Sequence, residues 1–309
     1  MAIFTLVFFK VLSSLLSVLI GYGSGKFSDV QKDSIASLLF YFIAPIVFFA
    51  IPTSTRLQFS DLSVTAVTLL ICAFLSFFSY WLYGIFWQDS HRNLLALSAG
   101  TGNTGYVVLP IATAIFDDYT LTLFALGLIG VAINEASIGC YFCARSVSSA
   151  RESALRVAKL PILNAFFVGC LFSLMGFHMP DFLDEFVKNM KGAFSILGMV
   201  LIGLALSQIT EFKLDFKFIT AAFVSKFFFF PLAFNIFILL DKFVLGWYDN
   251  NYYNALQLIT MAPMATNTIV MASLFKIYPE KMATAVLLSL FFVLIYLPVM
   301  ATIFLQDIG

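Results

Sequence analysis

Two stretches of the chain join residue types that do chemistry to residue types that break helices. The first is Gly100-Thr-Gly-Asn-Thr-Gly-Tyr-Val-Val-Leu-Pro110, inside an apolar run from about 93 to 116. The second is Met261-Ala-Pro263-Met-Ala-Thr-Asn267-Thr, inside a run from about 252 to 275. A proline removes one backbone donor and clashes with the carbonyl four residues earlier. In hydrocarbon, freed backbone groups are tolerated only where protein or water covers them. A helix broken there presents unpaired carbonyls at the end of its first half and unpaired N–H groups at the start of its second. The N-terminal end carries partial positive charge and favours a carboxylate. Asn103 and Thr104 add side-chain donors, as do Thr266 and Asn267 from the other stretch, while Gly100, Gly102 and Gly105 let backbones approach closely. The chemistry so expected is the binding of an anion without an arginine. The plainer alternative is a pair of kinked helices packed through small residues, because Gly and Pro are frequent in membrane helices.

Three further side chains bear on that site. Glu135, next to Asn134, is the one acid well inside an apolar span. A charge there costs at least about 2.5–3.5 kcal/mol, so it must be paired, protonated or facing water. The functional reading is a proton-coupling carboxylate, and the structural one a hydrogen-bonded or lysine-paired group. Lys226 precedes Phe227-Phe-Phe-Phe230-Pro231 and is read as a partner of Glu135, a counter-charge for a substrate, or a packing lysine. Lys10 lies inside the first apolar run and can snorkel only partway to its outer end. Asn164 and Asn235 are expected to hydrogen-bond between helices, and His91 and His178 to be solvated loop residues. Cys140 and Cys143 form a C-x-x-C, but no other Cys or His cluster supports a metal or redox site, so they are read as reduced helix residues.

The elements that must position these groups are membrane helices. The 309 residues are 61% hydrophobic and only 11% charged, against about 25% charged in soluble domains. Zero formal net charge argues against a nucleic-acid partner. A span needs about 20 apolar residues. Ten candidates emerge, at roughly 3–22, 34–54, 62–86, 93–116, 120–143, 158–177, 192–210, 216–240, 252–275 and 283–305. The first has no small-residue cleavage site after it and is read as a helix, not a signal peptide. Loops after odd-numbered spans hold eleven Lys and Arg, and loops after even-numbered spans hold Arg56, Lys188, Lys191 and Lys242. The positive-inside rule then puts both termini outside. The polar stretch 145–158 divides the chain into 1–144 and 159–309, each with five spans, and an odd number makes the second half enter the membrane inverted. Pro110 and Pro263 stand 153 residues apart, each in the fourth span of its half. Two Gly/Pro-interrupted spans in corresponding places point to the binding site of a secondary transporter.

The chain resembles the auxin efflux carrier family, especially its shorter bacterial members. Gly102-Asn103-Thr104-Gly105 with Leu109-Pro110 is similar to the family's span-four motif, and Met261-Ala-Pro263 with Ala265 and Thr266 to its span-nine counterpart. Arg156 to Gly169, Leu197-Gly198, Ile202-Gly203-Leu-Ala-Leu206, Leu287-Leu-Ser289 and Leu297-Pro298 extend the likeness over nearly the whole chain. Leu160-Pro161 departs from an Asn-Pro often found there, and the long loop of the plant hormone carriers is missing. The resemblance implies an all-α protein of ten transmembrane helices in a 5+5 inverted repeat. It implies broken helices four and nine crossing near the bilayer centre. It also implies a scaffold of helices one, two, six and seven, and a moving group of three to five and eight to ten. The substrate class it implies is a small organic anion such as malate or malonate, in a bacterial cytoplasmic membrane.

The leading expectation is a secondary active transporter working by an elevator motion, without a bound cofactor, driven by protons, membrane potential or Na⁺, with a homodimer plausible through the scaffold. Within transporters the alternative is a sodium symporter of the bile-acid type. Outside them it is a membrane sensor that binds without transport. An intramembrane enzyme is set aside, because no paired Asp, H-E-x-x-H or Ser/His constellation lies at membrane depth.

Overall fold

A computed structural model of the chain describes residues 2–28, 30–54, 57–144, 161–177, 179–208 and 214–305. The dividing stretch 145–158, Arg56 and His178 lie outside the described residues. Every regular element among the described residues is helical. We number them α1 (Ala2–Phe27), α2 (32–53), α3 (Ser63–Tyr83), α4 (Ser90–Ala99), α5 (104–115), α6 (118–144), α7 (Pro161–Leu174), α8 (Asp184–Ser207), α9 (216–245), α10 (Asn250–Thr260), α11 (Asn267–Leu274) and α12 (Pro279–Phe304). Among the described residues eight segments are helical, long and apolar enough to cross a membrane, counting α4 and α5 as one. The described part of α7 and each half of the interrupted α10–α11 fall below that length.

Two clusters of polar side chains mark opposite ends of the bundle. At one end Asp61 accepts hydrogen bonds from Tyr252 and, at 3.2 Å, from Tyr119. There also Asp241 accepts from the backbone N–H groups of Trp247 and Tyr248 and from the Tyr253 hydroxyl. At the other end His91 Nδ1 meets Asp89 at 2.8 Å, and Lys281 Nζ meets both His91 Nε2 at 2.9 Å and Asp215 at 2.6 Å. The Lys281 ammonium holds the Asp215 carboxyl below the usual carboxylate range. His91 is therefore not a solvated loop residue: it is buried in the first turn of α4, with its ring stacked on Tyr278 at 4.0 Å between centroids. These contacts fix direction. The segments α3, α4–α5, α6, α9, α10–α11 and α12 run alternately between the Asp61 end and the His91 end, so the interrupted pair α10–α11 traverses as much of the molecule as its unbroken neighbours.

Backbone contact sets the packing of the remaining helices. A Cβ on Gly21 would lie 2.1 Å from the Val200 carbonyl oxygen, and one on Gly203 would lie 2.0 Å from that of Val18. So α1 lies directly on α8. Gly169 brings α7 onto α2 in the same way, with the Phe49 carbonyl oxygen 2.5 Å from its missing Cβ. The start of α8 corrects the span expected from 192. The helix is already regular at Asp184, with Asp184 and Glu185 in its first turn, where acids favour the N-terminal dipole. Lys188 and Lys191, expected in a loop, are therefore helical. Asn164 is exposed on α7 and does not make the expected bond between helices. Asn235 does, accepting from Gln257 Nε2 of α10 at 2.7 Å.

Candidate functional site

The first interruption begins at Gly100, where α4 stops, and its pivot is Asn103. With φ −77° and ψ 57°, and the Thr104 N–H donating to the Gly102 carbonyl at 2.8 Å, Asn103 is the centre of an inverse γ-turn. That turn directs the Asn103 N–H away from its own helix and onto the Pro263 carbonyl, 2.9 Å away. Asn103 Nδ2 donates to Thr266 Oγ1, also at 2.9 Å. One residue of the first break thus makes two hydrogen bonds to the second. The second break runs from Met261 to Thr266. Pro263 has no N–H to give, the Met264 N–H donates to Ser289 Oγ of α12 at 3.1 Å, and Ala265 accepts from both the N–H and the hydroxyl of Thr268.

The polar pair on α6 reaches both breaks. Asn134 Nδ2 donates to the Gly100 carbonyl at 2.9 Å and to Ser76 Oγ at 3.2 Å. Glu135 accepts from Asn267 Nδ2, the first residue of α11, at 2.8 Å. A π turn over Glu135–Gly139 follows at once. Such single π turns re-aim side chains and are frequent at functional sites. A second π turn, Ser225–Phe229 of α9, sets Lys226. That lysine is wholly buried. Its ammonium donates to the Thr101 carbonyl at 2.6 Å and stands 3.6 Å from the centroid of the Phe230 ring. Of the alternatives read for Lys226, a direct pair with Glu135 does not form: the lysine serves the orphan carbonyl of the first break and the carboxylate serves the second.

The structure therefore gathers Gly102, Asn103, Thr104, Asn134, Glu135, Lys226, Pro263, Thr266 and Asn267 around two joined breaks. Asn103, Thr104 and Thr266 are buried, while a Cβ on Gly105 would meet nothing within 4 Å. Pro110 is one turn out along α5 and lines a cavity of about 850 Å³ that opens between α1, α2, α5 and α8. Between that cavity and the breaks, Tyr106 packs on Phe194 at 5.6 Å and lies over Gly198, whose missing Cβ would be 2.3 Å from the tyrosine ring. Tyr106 and Thr101 are the site residues that residue types alone do not reveal. Ser289 stands out in the sequence only within a motif, and its role at the break depends on a partner 25 residues away. All four cysteines are free thiols.

Comparison with known proteins finds one relative and one family. An uncharacterized transporter of Methanocaldococcus jannaschii, MJ1031, is 26% identical over 211 residues, covering 64% of this chain and 68% of that protein. Residues 143–301, a little over half of the chain, match the family described as membrane transport protein. That range contains Lys226, Pro263 and Ser289 but stops short of Gly100–Pro110. With its apolar helices, the chain is an integral membrane protein and belongs to the membrane transport protein family, that of the auxin efflux carriers.

Proposed function

We propose that the protein is a secondary active transporter of a small organic anion, a carboxylate such as malate, malonate or an auxin-like acid, held where the two helix breaks meet. The observation that carries this reading is the double link from Asn103 to Pro263 and Thr266. Two broken helices that only kinked past each other would not need each to fill the other's backbone valences. Joined in this way, the second halves α5 and α11 start from one point, and their N-terminal dipoles favour one anion. Thr104 and Asn267 flank it as hydrogen-bonding side chains, and Gly105 leaves room beside it.

Ten membrane passes in a 5+5 inverted repeat account best for the packing. Exchange of the halves turns the pair α1–α8 into α7–α2, and both pairs are in close backbone contact. Ser289 of α12 bonds the second break as Asn134 of α6 bonds the first. In this reading α1, α2, α7 and α8 form a scaffold, and the remaining helices carry the site past it in an elevator motion. The Asp61 end faces outside and the His91 end faces the cytoplasm, as the Lys and Arg distribution requires. Glu135 is the proton-coupling group, because it is bonded to the first residue of α11 and feels any change at the site. Sodium is the weaker candidate, since the Thr101 carbonyl, an oxygen of the type that suits Na⁺, is already taken by the Lys226 ammonium.

The test is flux in proteoliposomes with labelled mono- and dicarboxylates, with pH gradient and membrane potential imposed separately. Saturable flux is expected, reduced by about tenfold or more in Asn103→Ala, which removes the side-chain link but leaves its N–H. In Glu135→Gln the flux should lose its dependence on pH gradient. Binding of an acid without flux would replace the carrier by the sensor reading. Flux whose pH dependence survives in Glu135→Gln would remove that residue from coupling.

A further inference from the structure

The cavity beside Pro110 holds charges that the transport reading does not use. Its lining includes Lys10 of α1, Lys188 and Lys191 of α8, and three acids, Asp118, Asp181 and Asp184. The signs balance, and although the charges of Asp118 and Asp184 reach Lys191, the acids and the lysines differ in depth. Asp118 opens α6, and Asp181 and Asp184 lead into α8, so all three acids stand at the rim. Lys191 is seven residues further in than Asp184, about 10 Å at 1.5 Å per residue. Lys10 lies at the same depth. Gly21 meets Val200 and Gly25 meets Ser207, offsets of 179 and 182, so α1 and α8 run parallel. The same offsets set Lys10 beside residues 189–192. Two lysines from two helices therefore converge on the inner part of one cavity. Among the described residues neither Lys188 nor Lys191 is in direct contact with a carboxylate.

Cations at membrane depth are costly and face a water-filled space when they are kept. Low-dielectric walls on either side concentrate their field on whatever enters. The volume of about 850 Å³ is within the range of small-molecule sites, and one turn of α5 separates it from the helix breaks. We propose that Lys10 and Lys191 form an antechamber subsite for a carboxylate, occupied before the anion passes Tyr106 to the breaks. The onward passage of the anion rests on the transport reading, whereas the subsite itself does not.

The test reads the field and the occupancy without needing the transported acid. Thr113, exposed in the cavity wall, is replaced by cysteine in protein reconstituted in nanodiscs, with the unsubstituted protein as background. Rates of modification are measured with a sulfonate-bearing and a trimethylammonium-bearing methanethiosulfonate, and each is normalised to a free thiol. The anionic reagent is expected to be favoured. Lys10→Gln with Lys191→Gln should cut that preference by about tenfold, from two unit charges removed at close range, whereas Lys191→Arg keeps it. Malonate, succinate or acetate should slow the anionic reagent in the parent and not in the double variant.

A preference for the cationic reagent, a preference untouched by the lysine changes, or no protection by any of the three acids overturns the subsite. Flux measured on the same preparations separates the two readings. Carboxylate flux with an unaltered reagent ratio removes the antechamber and leaves the carrier. The expected ratio and protection in a protein that moves no acid keeps the subsite and removes the carrier.

Discussion

At the first break the chain is reduced to glycine and crowded by other helices, while at the second it is built from Met261, Ala262, Pro263, Met264, Ala265 and Thr266. A Cβ on Gly100 would lie 2.1 Å from Ser76 Oγ and 2.6 Å from the Cys72 carbonyl oxygen, and one on Gly102 would lie 2.5 Å from Lys226 Nζ. The first break also draws strong donors from outside, an amide from Asn134 and an ammonium from Lys226. The second takes a serine oxygen from α12 and the backbone N–H of Asn103. Equivalent positions in two halves are thus filled by unequal chemistry. The first break is anchored by charge and close packing. Within the second break itself the partners are the Ser289 hydroxyl and the Asn103 link, hydrogen bonds of about 1 kcal/mol each, and the Glu135 carboxylate meets it only at Asn267, where α11 begins. The difference assigns the anchoring to the first break and leaves the second as the part with more freedom to adjust to a ligand.

The largest effect is expected at Gly100. In Gly100→Ala the new methyl meets a backbone carbonyl that cannot rotate away. Overpacking of this kind costs about 1–3 kcal/mol and more where backbone must shift. The expected result is a large fall in the thermal midpoint of the purified protein, or failure to accumulate in the membrane. Ala262→Gly in the second break should cost far less, since the backbone there is enclosed without glycine. Equal loss in the two variants would erase the distinction between anchored and adjustable breaks.

Lys226→Met comes next. It removes the ammonium from the Thr101 carbonyl and leaves that oxygen buried without its donor, a cost of about 1–3 kcal/mol, while the methylene stem is kept. Protein should fold with a lowered thermal midpoint, and flux should fall by more than Ser289→Ala lowers it, because Ser289 gives only one neutral partner to Met264. If Ser289→Ala proves the more damaging, the second break is the anchor and the assignment is reversed.

The existence of the breaks is legible in residue types, because glycine, proline, asparagine and threonine are out of place in a hydrophobic run. The polar character of Asn134 and Glu135 is equally plain. Where side chains point is not legible. The target of Lys226 is a backbone oxygen 125 residues away, and a backbone oxygen has no signature in sequence. Apolar counting places the start of a span near 192, since Asp184, Glu185, Lys188 and Lys191 lower the hydropathy. Those charges instead belong to a helix whose first turn favours acids and whose lysines face a cavity. His91 reads as a loop residue because its partners Lys281 and Tyr278 are near it only in space.

The smallest expected effect discriminates most finely between glycines of the first break. Gly105 is the glycine of that motif that no neighbour crowds, since a Cβ there meets nothing within 4 Å. Gly105 is also not among the glycines with positive φ, so alanine is free of backbone strain. Gly105→Ala should hold or raise stability by a few tenths of a kcal/mol to about 1 kcal/mol, through loss of freedom in the unfolded chain. If the open space beside Gly105 is where the anion sits, the same methyl should weaken the apparent affinity for the transported acid about threefold to tenfold, with bulkier acids hit harder. Stability held and affinity lost would separate Gly105 from Gly100 and Gly102, as a glycine kept for the ligand and not for the fold. Stability and affinity both unchanged would move the anion away from the start of α5 and towards α11, where Asn267 already holds Glu135.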